Sequence, residues 1–196
     1  MFSVSQTQLP LRSGRAAWFA VAVLATVGVA TTALPAETAI TAPLTVTLKV
    51  TGAAAVPGVD VVLGDPSSQL TVVVKNVGAE PVRLWKAGYS FGYRNLSFEV
   101  TDQDGKHFVV TRAERVFEKD YPALEALPAG ASITTDVSLT AQEWQGLPHL
   151  QPGERRAVRM HAVYRSAPSP EAKRNSVWVG SVASEDIDVT LLNPQK

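Results

Sequence analysis

The segment Trp85-Lys-Ala-Gly-Tyr-Ser-Phe-Gly-Tyr-Arg94 holds the densest set of residues suited to recognition chemistry. Trp85, Tyr89, Phe91 and Tyr93 are all odd-numbered, so an extended chain places their rings on one face. Gly88 and Gly92 leave the opposite face nearly bare. An aromatic shelf of this kind suits stacking on sugar rings or on a peptide, with Arg94 as a polar handle. The competing reading is that the rings fill the core, or that the glycines bend the chain and part them. Trp85, Tyr89, Phe91, Tyr93 and Arg94 are the expected ligand-binding residues.

Catalytic chemistry has less to work with. The three histidines, His107, His149 and His161, lie in different segments, and none has a second histidine at metal-ligand spacing. The chain has no cysteine, which excludes disulfides, thiolate metal sites, a thiol nucleophile and an acylated-cysteine anchor. No H-E-x-x-H helix signature and no G-x-x-x-x-G-K-[ST] phosphate loop occurs. No serine stands beside a recognisable His/Asp arrangement, and Glu99, Asp136, Glu143 and Asp186 fall on outward positions or turns. Arg155, Arg159, His161 and Arg165 share a parity and make a basic stripe, with His161 expected in solvent. Asp186 and Asp188 share a parity on the following strand, so cross-strand pairing accounts for the stripe. The expectation is a non-enzymatic protein with no metal and no cofactor.

Charge and hydropathy place the chain. Its 196 residues carry a formal net charge of zero, with 45% hydrophobic and 18% charged residues, a globular balance with no basic bias toward nucleic acid. Arg12 and Arg15 precede an uncharged run, Ala16 to Ala33. As a helix this run spans roughly 27 Å, close to the ~30 Å of a bilayer's hydrocarbon core. Basic residues before an apolar run set the N-terminus inside and the remainder outside. A cleaved signal peptide, with cuts after Ala33 or Ala36, competes with an uncleaved anchor that would hold the chain in the membrane. Residues 1–36 are thus read as signal peptide or anchor, 37–42 as linker and 43–196 as the domain.

The domain reads as strands. Leu44 to Val50 alternates strictly, with Leu44, Val46, Leu48 and Val50 inward. Val59 to Leu63 is a candidate short strand, followed by Leu70–Lys75, Val82–Trp85 and Leu96–Thr101, the last with Leu96, Phe98 and Val100 inward. Asp104-Gly105 predicts a hairpin to Lys106–Thr111. Ile133 to Leu139 alternates again. Thr140 and Glu143 have capping-box spacing, which predicts one helical turn over 140–146. Arg155–Arg165 and Val177–Leu192 then read as two long strands around a Ser/Pro-rich loop, 166–176. Seven or eight strands without intervening helices predict an all-β, antiparallel sandwich behind one N-terminal hydrophobic helix.

Val72–Asn76, Leu96–Val100 with Asp104-Gly105, Leu127–Gly130, Gln151–Gly153 and Trp178–Ser184 form a series of phrases over residues 70–192. In these the chain resembles bacterial exported immunoglobulin-like domains of unknown function, and it is similar to the prodomain of deuterolysin-type metallopeptidases. The resemblance implies an immunoglobulin-like fold in an extracytoplasmic setting and carries over no catalytic residue. A module binding an envelope protein or glycan is the expectation, with a peptidase inhibitor or regulatory prodomain as the alternative.

Overall fold

The computed structural model describes residues 43–52, 57–67, 70–118 and 121–195. The expected signal or anchor segment, the linker and the N-terminal helix lie outside those residues. Among the described residues no helix is long and apolar enough to cross a membrane.

Among the described residues twelve strands and one short helix follow in order: β1 (Leu44–Val50), β2 (Val61–Val62), β3 (Leu70–Asn76), β4 (Val82–Trp85), β5 (Leu96–Asp102), β6 (His107–Arg112), β7 (Leu124–Leu127), β8 (Ser132–Val137), β9 (Trp144–Gln145), β10 (Arg155–Ser166), α1 (Pro170–Arg174), β11 (Gly180–Ala183) and β12 (Ile187–Leu192). One sheet has the order β1-β3-β8. The other runs β2-β12-β10-β5-β6-β9, with β11 also beside β10. β4 and β7 form a separate antiparallel pair. Of the seven main strands, β1, β3 and β8 share one sheet and β5, β6, β10 and β12 the other. The all-β antiparallel sandwich holds. Among the described residues the parallel exceptions are the two-residue pairing of β2 with β12 and an isolated bridge between Arg83 and Val177.

Alternation decides which side chains meet between the sheets. Leu44, Val46 and Leu48 of β1 and Leu70, Val72 and Val74 of β3 are buried. They pack with Phe98 and Val100 of β5 and Val158, Met160 and Ala162 of β10 in one core. Burial at this period removes apolar area from water on one face only, at about 25 cal/mol per Å². Val50, expected inward, is exposed at the end of β1. The Asp104-Gly105 hairpin forms, with Gly105 at φ 77° and the Asp102 carboxylate accepting from the Asp104 and Lys106 amides.

Three local expectations are corrected. The 140–146 segment makes a single turn, with Trp144 N–H donating to Thr140 O, and then enters β9. Glu143 reaches Arg112 at 2.8 Å instead of closing a capping box. The helix lies instead in the 166–176 loop, where Ser169 accepts from the Ala172 amide and Pro170 supplies the fixed φ of a first helical residue. The expected long strand Val177–Leu192 is broken into β11 and β12 at Ser184. Its amide donates to Ala162 O, while its hydroxyl accepts from the Ala162 amide.

Candidate functional site

The segment after Trp85 is a run of turns, so the extended aromatic shelf is not formed. Tyr89 N–H donates to Lys86 O, Gly92 and Tyr93 N–H to Tyr89 O, and Asn95 N–H to Gly92 O, at 2.8–3.2 Å. The curl depends on Gly92, since a Cβ there would stand 2.3 Å from Lys86 O and 2.8 Å from Trp85 O. Gly92→Ala is therefore expected to unwind this turn, at about 2 kcal/mol, the usual cost of overpacking. Near-ultraviolet circular dichroism reporting on the Trp85–Phe91 contact is the check; an unchanged spectrum would refute the role given to Gly92.

Turning separates the five expected residues. Trp85, 5% exposed, packs on Phe91 at 4.9 Å between centroids, and both join Leu124, Ala172 and Val177 in a small second core. Tyr89 meets Tyr121 edge to face at 5.5 Å, and Tyr93 meets Phe117 edge to face at 5.4 Å. Arg94 is exposed. Three loops thus meet at one end of the sandwich: 86–95, the loop between β6 and β7, and the α1 loop. Phe117 and Tyr121 belong with the expected set, although no periodicity marks them.

The polar framing of this end comes from β6. Arg112 donates to Glu143 at 2.8 Å and lies over the Trp144 ring at 4.3 Å and the Tyr93 ring at 5.8 Å. Arg115 lies over Phe117 at 5.6 Å. Val116 and Tyr121 are exposed beside them. Beneath, Trp85, Tyr93, Arg112, Thr135 and Tyr164 line a cavity of about 60 Å³ between the sheets. It has room for a few waters and is far below the ~300 Å³ at which ligand pockets begin. Burial pushes the Tyr164 phenol above its ordinary value, so the fold holds it neutral. The cavity is too small to enclose a ligand, so what this end presents to solvent is the surface of its loops.

The outer face of the second sheet brings together residues that sequence distance hides. His161 Nδ1 lies 2.8 Å from Asp186, and its Nε2 lies 3.5 Å from Glu99. His107 Nε2 lies 3.7 Å from the same Glu99 oxygen. His161 is partly buried among these carboxylates, which corrects its placement in solvent. Arg159 meets Asp188 at 3.4 Å, so cross-strand pairing does account for this part of the basic stripe. Among the described residues no group of three or more His, Asp or Glu side chains could hold a metal ion. An open trough nearby, about 590 Å³, is lined by Thr101, Asp102, Arg159, Asp186 and Asp188, of which Arg159 pairs with Asp188, while Asp102 pairs with Arg156 and Asp186 with His161.

Gly88-Tyr-Ser-Phe-Gly92 has the G-x-S-x-G spacing of a serine-hydrolase nucleophile, which corrects the expectation that no such motif is present. Its surroundings are those of a β-sandwich loop. The nucleophile turn needs a strand before it and a helix after it on a parallel sheet, whereas turns and then β5 follow here. His107 and His161 are engaged with Glu99 and Asp186, and His149 with Gln151 at 3.5 Å. The spacing carries no catalytic assignment.

No protein-family model matches this chain, and no curated protein matches it. Neither comparison supports the likeness to the deuterolysin-type prodomain. Among solved structures, the Salmonella SafD adhesin aligns over 79% of this chain and 100% of that chain, at 11% identity and a TM-score of 0.29. At that score the alignment adds nothing to the topology described by the strands themselves.

Proposed function

We propose that this is a non-enzymatic immunoglobulin-like module, exported or anchored through residues 16–33, that binds a protein or glycan of the cell envelope. The observation that carries the reading is the pairing of two exposed phenols, Tyr89 and Tyr121, from separate loops at one end of the sandwich. Tyrosine contributes large, rigid contact area at low entropy cost, and loop ends of sandwiches present such residues to partners. Arg94 and Arg115, both exposed, lie between the two tyrosines in sequence and offer donors to hydroxyls or carboxylates. The basic residues before an apolar segment support presentation outside the cytoplasm.

The test is an array of envelope glycans and peptides probed with the full-length protein in detergent. A Tyr89→Ala/Tyr121→Ala double variant is expected to bind at least about tenfold more weakly, a loss of about 1.4 kcal/mol. Binding that survives both substitutions would place recognition elsewhere, and an array with no binding would remove the reading.

A further inference from the structure

We propose that Tyr89 and Tyr121 form a modification site, where a peroxidase-class oxidant acting with hydrogen peroxide joins the two rings into a covalent dityrosine. The inference rests on geometry and accessibility and is independent of what the loop end binds. The rings come from two loops far apart in sequence, lie edge to face at 5.5 Å between centroids, and are 36% and 48% exposed. That arrangement sets an edge of one ring against the other at van der Waals distance, and coupling needs a rotation of the exposed rings that brings two ortho carbons together. The neighbouring Tyr89 phenol also holds the Tyr121 phenol above its ordinary value.

The chemistry balances without further components. Each phenol gives up one electron and one proton to become a phenoxyl radical. The two radicals couple at carbons ortho to oxygen, a carbon–carbon bond forms, and each ring regains aromaticity as its ortho C–H proton moves to its oxygen. Hydrogen peroxide accepts the two electrons and two protons and leaves as two waters.

Selectivity follows from what else could be oxidised. Cysteine, the usual first target, is absent from the chain. Among the described residues Met160, Trp85, Trp144 and Tyr164 are buried, and Trp178 and Tyr93 are partly buried against Tyr164 and Phe117. Tyr89 and Tyr121 are the exposed pair that an oxidant meets first. A chain without disulfides would gain from the reaction a cross-link between the 86–95 loop and the loop that precedes β7. Such a link removes open states of both loops, as a disulfide does for a chain segment.

The experiment treats the full-length protein with a haem peroxidase and hydrogen peroxide, then reads intact mass, dityrosine fluorescence and the cross-linked peptides. The expected product is a monomer lighter by two hydrogens, with Tyr89 joined to Tyr121. Tyr89→Phe and Tyr121→Phe, which keep the ring packing, are each expected to lose it. Links only between chains, links at Tyr93 or Tyr164, product formation in either Phe variant, or no dityrosine at all would overturn the proposal.

Discussion

Phe98→Ala is expected to destabilise the domain by about 3–5 kcal/mol, the largest single loss in the core. Phe98 is 0% exposed at the centre of β5, which is hydrogen-bonded on both sides by β10 and β6. Its cross-strand neighbours are Ala162 and Val110, also fully or nearly fully buried. Ala162 has no side chain to swing into a vacated space, and the ring's other main contact, Trp144 at 5.1 Å, is held under Arg112. A cavity left there cannot collapse without moving paired strands, so the full transfer and cavity costs are expected. Domains of this kind have roughly 5–15 kcal/mol in total, so the variant should lose about a fifth or more of its stability. Urea unfolding is the measurement: the midpoint should fall with an unchanged slope. A loss under about 1 kcal/mol would mean that the sheets close over the gap, contrary to this packing.

The core was legible because burial on one face of a strand writes itself into a local, two-residue period. Alternation alone places Leu44, Val46, Leu48, Phe98 and Val100 inside, and all five are buried. What stayed hidden was either non-local or decided by backbone chemistry. His161 comes to rest opposite Glu99 only once the β10–β5 register is set, and register is not a property of either strand alone. The parity of Trp85, Tyr89, Phe91 and Tyr93 had meaning only for an extended chain, and Gly92 lets the chain curl back on Lys86. Phe117 and Tyr121 join the aromatic end from a segment with no period at all. The α1 helix, by contrast, was readable: Ser169 before Pro170, with Glu171 in the first turn, is an N-terminal helix signature. Read as composition alone, the same serines and prolines predict only a loop over 166–176.

Asn76→Ala is the second large expected loss, about 3 kcal/mol, and it concerns a residue that reads in the sequence only as the end of a strand. Asn76 is 0% exposed. Its amide nitrogen donates to Glu80 O at 2.8 Å and to Leu127 O at 2.9 Å, while its oxygen accepts from Gly78 N–H at 2.9 Å. Its backbone also bonds Ala131 and Gly130 in the turn before β8. One side chain therefore ties the end of β3, the turn into β4 and the end of β7, joining the first sheet to the β4–β7 pair. Alanine keeps the strand but strips these side-chain bonds from three backbone groups, and a buried group left unpaired costs about 1–3 kcal/mol. Asn76→Asp separates this account from a simple loss of volume. It is nearly isosteric and keeps the acceptor for Gly78, yet it turns an oxygen toward two carbonyls. If hydrogen bonding is the source of the stability, the aspartate variant should unfold at least as easily as the alanine one at neutral pH. An aspartate variant close to wild type in urea would mean that shape, not donation, is what Asn76 contributes.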